Sequence, residues 1–193
     1  GTFLGHEIIS MPPPSSGGVA LIQILNMLDE LQIQKQARGS AEAIHLITES
    51  MRRAYLDRAR HLGDPDFVTI PVDRLTSKPY ARTLTKGISL TKASSSVELG
   101  KDIVTVSVPE ESDETTHFSV LDKDGMAVTN TYTLEGGYGS HVVIKGTGIL
   151  MNNEMGDFNK KPGTTNLTGD IGTPPNVIAP GKRMLSSMTP TMV

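Results

Sequence analysis

The chain has 193 residues, 37% hydrophobic and 20% charged, with a formal net charge of -3. That length supports one sizeable core, and the mild acidity offers no electrostatic footprint for nucleic acid or an anionic membrane. No apolar run reaches the ~18 residues of a membrane helix, and the absence of cysteine excludes disulfides, thiol nucleophiles and cysteine-based metal sites.

Residues 2–10 read as a strand already in progress, and the last residues stop in another strand-like stretch. Both ends therefore predict a piece of a longer protein. Met11-Pro12-Pro13-Pro14-Ser15-Ser16-Gly17-Gly18 cannot be helix or central strand, because three prolines remove donors. The following residues, 19–31, are apolar nearly all round and predict a buried helix. Ser15, Ser16 and the glycines suit its N-terminal cap. They also suit an anion site, the less economical of the two readings.

Ser40 caps a second predicted helix, 41–61. Ile44, Ile47, Met51, Ala54 and Tyr55 share one face at helical spacing. Arg52, Arg53, Arg58 and Arg60 read as a solvated basic side. Gly63 ends the helix, and Asp64-Pro65-Asp66 reads as a structural turn, since the spacing fits no EF-hand loop. One or two short helices follow over 72–86. Residues 94–114 form a weakly patterned linker, expected to be mobile.

Thr115-Thr116-His117-Phe118-Ser119-Val120-Leu121 alternates as a half-buried strand does. Asp122-Lys123-Asp124-Gly125 is a hairpin turn with glycine at the position needing positive φ. Residues 126–134 return as a strand. A threonine that starts a strand after a loose linker has one sharp chemical reading. If the chain is cut before it, the new α-amine can act as base for the threonine's own hydroxyl.

Glu135-Gly136-Gly137-Tyr138-Gly139-Ser140 lacks the lysine and the following helix of a phosphate loop. Strands are expected over 142–144 and 147–154. The polar end Asn152-Asn153-Glu154, with Asp157 beyond, reads either as turn formers or as a carboxylate pair for a substrate ammonium. Residues 160–182 form a long loop, of the kind that serves as a lid or stays disordered. Leu185-Ser186-Ser187-Met188 opens a last strand. The histidines, His6, His45, His61, His117 and His141, show no zinc spacing, and no Gly-x-Ser-x-Gly elbow occurs.

Several of these stretches, in order along nearly the whole chain, resemble the γ-glutamyltranspeptidase family of N-terminal-nucleophile hydrolases. They are the Pro-Pro-Pro-Ser-Ser-Gly-Gly run, Tyr55-Leu56-Asp57-Arg58, Leu62-Gly63-Asp64-Pro65-Asp66-Phe67 and Thr115-Thr116-His117. Gly148-Ile149-Leu150-Met151-Asn152-Asn153-Glu154-Met155-Gly156-Asp157-Phe158 and Lys182-Arg183-Met184-Leu185-Ser186-Ser187-Met188-Thr189-Pro190-Thr191 complete the set.

The resemblance implies an α+β fold, the αββα sandwich of that superfamily, incomplete in this chain. Residues 1–114 match the end of the family's large subunit and 115–193 the start of the small one. The implied self-cleavage falls between Glu114 and Thr115. Thr115 is then the nucleophile that takes a γ-glutamyl group from glutathione or a γ-glutamyl amide. The group passes on to water or to an amino-acid or peptide amine. Thr133 matches the threonine that hydrogen-bonds the nucleophile. Glu135, Glu154 and Asp157 match holders of the substrate α-ammonium, with Glu135 where many members have Asn. Ser186 and Ser187 match the binders of the α-carboxylate. The stretch 162–183 matches a lid, without an aromatic gate.

The family's arginine clamp and its oxyanion glycines have no counterpart in the 193 residues. The fragment alone is therefore expected to be inactive and to keep the Glu114–Thr115 bond. No cofactor or metal is implied. The implied partners are the rest of the precursor, as a large/small subunit heterodimer, and the implied setting is periplasmic or secreted. A cephalosporin-acylase-like amide acylase and a non-catalytic binding module are the competing readings.

Overall fold

A computed structural model of the chain describes residues 1–103, 115–159 and 173–193. It is a mixed α+β arrangement, and its helices lie almost entirely in the first hundred residues. The expected opening strand is instead a tight hairpin, β1 (Thr2–Phe3) and β2 (His6–Glu7), followed by β3 (Ile9–Ser10). Leu4 and Gly5, both at positive φ, break the run. β3 pairs antiparallel with β6 (Thr191–Met192), so the two ends of the chain meet.

Helix α1 (Gly17–Glu30) packs against α2 (Ala41–His61) and against α4 (Lys78–Thr85), with α3 (Val72–Leu75) beside them. One apolar cluster joins Val19, Leu62, Leu75 and Leu185, and a second joins Ala20, Met27, Ala54 and Ala81. The cap predicted for α2 is present: Ser40 Oγ accepts the Ala43 N–H at 3.1 Å. Of the two serines predicted to cap α1, Ser16 makes no cap bond with its side chain. Ser15 Oγ instead accepts the Gly17 N–H at 3.2 Å.

The buried face of α2 differs from the expected one. Ile44, Ile47, Met51 and Tyr55 are exposed, while Leu46, Glu49, Ser50, Arg53 and Asp57 are buried beside Ala54. The expected basic side is solvated only in part: Arg53 is buried, whereas Arg52 and Arg60 stay partly exposed. Buried Arg53 donates to Glu49 Oε2 at 2.7 Å, and Arg60 pairs with Asp102 at 2.5 Å. Polar groups enter this interior because each finds a partner there. Gln23 Nε2 and the Tyr80 hydroxyl both donate to Asp57 Oδ2, at 2.5 and 2.9 Å. Burial, and then the bond to Asp57 and its charge, push the Tyr80 phenol up to about 12. Burial alone would raise Glu49. The hydroxyl and N–H of Ser94 and the Arg53 guanidinium outweigh it and bring the carboxyl to about 2. Ser94, placed in a mobile linker by its sequence, is thus tied to α2, and α5 (Ser96–Leu99) follows it.

Asp64 does more than shape a turn. It accepts the Asp66 N–H at 3.1 Å, as a turn residue does. It is also fully buried and takes three bonds from Arg183, 119 positions away: from the backbone N–H at 2.7 Å, Nε at 3.1 Å and Nη2 at 2.5 Å. The Arg183 bonds hold its carboxyl far below the usual carboxylate range against the opposing effect of burial.

Strands β4 (Thr115–Leu121) and β5 (Ala127–Thr133) form the predicted hairpin, in register from Thr115↔Thr133 to Leu121↔Ala127. Gly125 takes φ 89° in its turn. The expected half-burial is absent: every residue of β4 is exposed on both faces. Among the described residues nothing is layered over it, so alternation in sequence has no burial to report. The strands expected over 142–144 and 147–154 shrink to one antiparallel bridge, Val143↔Leu150. The last predicted strand likewise reduces to the Ser15↔Ser186 bridge and the two-residue β6. Residues 104–114 of the linker and 160–172 of the loop lie outside the described residues, while the described remainder of the loop read as a lid, 173–183, holds the 3-10 turn Pro174–Asn176, the Asn159↔Val177 bridge and the Arg183–Asp64 tie.

Candidate active site

The hairpin register sets Thr115 opposite Thr133, and their hydroxyl oxygens stand 3.3 Å apart. Thr133 Oγ1 also accepts the Glu135 N–H at 2.9 Å, which ties the end of β5 to the loop that follows. Thr115 is exposed and is the first described residue after the linker. Its cleavage partner Glu114 lies outside the described residues.

The loop after β5 turns sharply. Glu135 adopts φ 70°, an uncommon conformation for a residue with a side chain. Asn153 holds this turn from the other side. Its Oδ1 accepts the Gly136 N–H at 2.9 Å, and its N–H donates to Leu134 O at 3.1 Å. Asn152 Oδ1 accepts the Glu154 N–H at 3.1 Å, at the entry to the 3-10 turn Glu154–Asp157. The polar strand end noticed in the sequence is therefore a set of turn formers, and one that supports the carboxylates. The Glu135 carboxylate lies against Gly156, so close that a Cβ at that position would collide with it.

Glu135, Glu154 and Asp157 come together here. Burial pushes the Glu154 carboxyl up, the hydrogen bond with Asp157 pulls it down, and the Glu135 charge pushes it up; the net direction is upward. An arriving ammonium can donate to these oxygens and relieve the repulsion among the three acids.

Ser186 and Ser187 sit elsewhere, against the start of α1. Consecutive residues on an extended segment face opposite ways, and the pair lines two different cavities. Ser186 borders one with Asn130 and Thr131 of β5, Arg183 and Met188. Ser187 borders another with Ser16, Gly17, Tyr55, Arg58 and Thr189. Among the described residues, neither cavity is lined by Thr115, Glu135, Glu154 or Asp157. The structure thus pairs the two threonines and gathers the three acids beyond Thr133. It joins the serine pair to this end of the molecule through β5 and through Asn176, whose Nδ2 donates to Asp157 O at 2.6 Å and whose Oδ1 accepts the Leu185 N–H at 3.0 Å.

Sequence reasoning missed Asp64, Arg183, Ser16 and Arg58 as supports of the serine segment. Their partners lie more than forty positions away, and no local pattern signals such a pairing. Asn153 was legible only as part of a polar strand end.

The family model described as Gamma-glutamyltranspeptidase matches residues 1–193. A glutathione hydrolase proenzyme of Escherichia coli (strain K12) is 46% identical over 193 residues, covering 100% of this chain and 33% of that protein. An Acylase ACY 1 proenzyme of Pseudomonas sp. (strain SE83) is 40% identical over 192 residues, covering 100% of this chain and 31% of that one. In structure, a cephalosporin acylase from Bacillus halodurans superimposes with a TM-score of 0.69 over 98% of this chain and 30% of its own, at 22% identity. That likeness speaks for the fold alone. The chain spans about a third of the length of the curated relatives it matches.

Proposed function

The chain belongs to the γ-glutamyltranspeptidase family, and on that premise we propose that the full-length protein transfers and hydrolyses γ-glutamyl groups through an acyl-enzyme on Thr115. The observation that carries the reading is the Thr115–Thr133 hydroxyl pair, 3.3 Å apart, in a chain matched to the family from end to end. Cleavage between Glu114 and Thr115 frees an α-amine. Such an amine titrates near pH ~8, so it works as a base close to neutrality.

The amine takes the Thr115 proton as Oγ1 attacks the γ-carbonyl carbon of glutathione or another γ-glutamyl amide. The C–N bond breaks, and the departing amine takes the proton. Water or the amine of an amino acid or peptide then attacks the ester, and Thr115 recovers its proton. Thr133 orients the nucleophile. Glu135, Glu154 and Asp157 hold the donor's α-ammonium, and Ser186 and Ser187 its α-carboxylate. Residues 1–114 belong to a large subunit and 115–193 to a small one that stays with it. The setting is periplasmic or secreted, which fractionation of cells making the full-length protein tests.

An amide acylase is the second reading, favoured by the 40% identity with the Acylase ACY 1 proenzyme. The acid cluster favours a donor bearing an ammonium, as γ-glutamyl compounds do. The deciding experiment gives the full-length protein L-γ-glutamyl-p-nitroanilide and, separately, glutaryl-p-nitroanilide. Release of nitroaniline from the first well above the second is expected. Preference for the glutaryl compound replaces the first reading with the acylase one.

A further inference from the structure

Among the described residues, the segment that carries Ser186 and Ser187 has a single parallel bridge to Ser15 as its ladder. Ser16 N–H donates to Ser186 O at 2.8 Å, and Ser186 N–H donates to Pro14 O at 3.2 Å. Two side chains add to these. Ser16 Oγ donates to the same Ser186 O at 2.8 Å, and Ser15 Oγ donates to Met188 O at 2.6 Å. The carbonyls just before and just after Ser187 are therefore each held by a buried hydroxyl. Ser15 is 4% exposed and Ser16 1%.

Arg58 sets the direction of this chain of bonds. Its Nε–H donates to Ser16 Oγ at 2.8 Å. An arginine nitrogen cannot accept, so the Ser16 proton is turned toward Ser186 O. The positive donor also polarises the hydroxyl and strengthens the bond beyond it. The floor under Ser187 is equally closed. A Cβ at Gly17 would run into the Thr189 hydroxyl and stand 2.9 Å from Ser187 O. Helix capping does not account for Ser16, whose side chain makes no cap bond.

We propose that Ser15, Ser16 and Arg58 are positioning residues that fix the backbone on both sides of Ser187 and thereby set recognition of the donor's α-carboxylate. The inference rests on the functional reading above. Ser15 and Ser16 bond the serine segment and Arg58 bonds Ser16, and none is assigned to the scissile amide, so they act on binding and leave the chemical step alone.

The test uses the full-length protein and its Ser15→Ala, Ser16→Ala, Arg58→Gln and Arg58→Lys variants. Two quantities are read: kcat and KM for L-γ-glutamyl-p-nitroanilide, and inhibition by 4-aminobutanoate, which keeps the ammonium and lacks the α-carboxylate. Ser16→Ala and Arg58→Gln are expected to raise KM about tenfold, the order of one lost hydrogen bond, with kcat changed less than about threefold. Ser15→Ala, the mildest change, follows in the same direction, and Arg58→Lys recovers part of the loss. Inhibition by 4-aminobutanoate stays within about twofold of the parent.

An unchanged KM in Ser16→Ala and Ser15→Ala overturns the inference. So does equal weakening of donor and 4-aminobutanoate, which marks a general structural role. A parent protein without γ-glutamyl turnover overturns the functional reading, and this inference with it. A working parent with unaltered variants overturns the inference alone.

Discussion

In residues 1–103 the interior is filled by Val19, Met27, Ala54, Leu62 and Leu75, and threaded by bonds among Gln23, Glu49, Arg53, Asp57 and Tyr80. Between Thr115 and Asn159, Phe158 is the buried hydrophobic side chain among the described residues, and β4 is exposed on both faces. The first region satisfies most of its polar groups and its core from within, and Arg183 and Leu185 complete Asp64 and the first apolar cluster. The second carries the proposed nucleophile and the acid cluster, and it has almost no core of its own. A two-stranded hairpin is marginal by itself in water. Strand β4 finds no covering surface among the described residues, and β5 meets the first region around Met11, Pro14 and Ser15.

The largest expected effect lies in the bare region. Thr115→Ala in the full-length protein should lower γ-glutamyl anilide turnover by ~10⁴-fold or more, as loss of a covalent nucleophile does. It should also leave the precursor uncut on a denaturing gel, because the same hydroxyl serves both reactions. Thr115→Ser should keep some of each. A Thr115→Ala protein that still turns over removes the assignment.

Next comes Asp157, which shares a hydrogen bond with buried Glu154. Deleting one partner of a buried charge pair commonly costs about 2–5 kcal/mol, and Asp157→Ala should raise KM for γ-glutamyl donors accordingly. A glutaryl donor, lacking the ammonium, should be nearly indifferent. The upward push on Glu154 adds a pH sign to this. As pH falls through its raised value the carboxyl gains a proton and an ammonium loses its counter-charge, so KM should climb on the acid side. Glu154→Gln should flatten that limb. Equal losses for both donors would leave Asp157 a turn former only.

The contrast itself can be measured in the 193-residue chain. Leu62 is 2% exposed in the first apolar cluster, and Leu62→Ala should cost about 2–5 kcal/mol of unfolding free energy. Val120 is 52% exposed on β4, and Val120→Ala should change stability by less than about 0.5 kcal/mol. If the rest of the full-length protein covers the hairpin, the Val120 substitution costs more there. Equal, small effects of Val120→Ala in both would mean that the hairpin stays bare.

How much of this was legible in the sequence follows from where each signal lives. Helix α2, its Ser40 cap and the Asp122–Gly125 turn rest on neighbours in the chain, and they were found. The buried face of α2 was not. Ile44, Ile47, Met51 and Tyr55 outrank Glu49 and Arg53 in hydrophobicity, but the ion pair to Arg53 and the bonds from Ser94 make burial of the charged side possible. Periodicity reads apolar content and is blind to a partner forty residues away. The candidate site divides the same way. Thr115, Thr133 and the acids were placed by family motifs; the approach of the threonines follows from one hairpin register, and that of the acids from the bonds of Asn153 to Leu134 and Gly136. The Asp64–Arg183 tie and the Arg58–Ser16–Ser186 chain cross the molecule, so only coordinates disclose them.

The smallest effect separates the two regions by acid. Glu49 and Asp64 both titrate below the ordinary carboxylate range in the folded chain, Glu49 at about 2. Unfolded, such groups titrate near pH ~4. A carboxylate with a depressed folded value binds fewer protons folded than unfolded. Its stabilising contribution is therefore complete above the unfolded value and is lost as pH falls through the folded one. Helical-region stability should thus be flat from neutral pH down to about pH 5 and decline between about pH 4 and 2. Glu49→Gln and Asp64→Asn should each lower the melting temperature at pH 7 and each make the acid decline shallower, because the group that titrates has gone. The hairpin's exposed residues offer no such pair, so hydrogen exchange at Thr116–Val120 amides should show protection that follows pH only through its intrinsic chemistry. A wild-type acid slope that survives both substitutions unchanged would mean that neither buried carboxylate carries it, and the helical region would then owe its order to its apolar clusters alone.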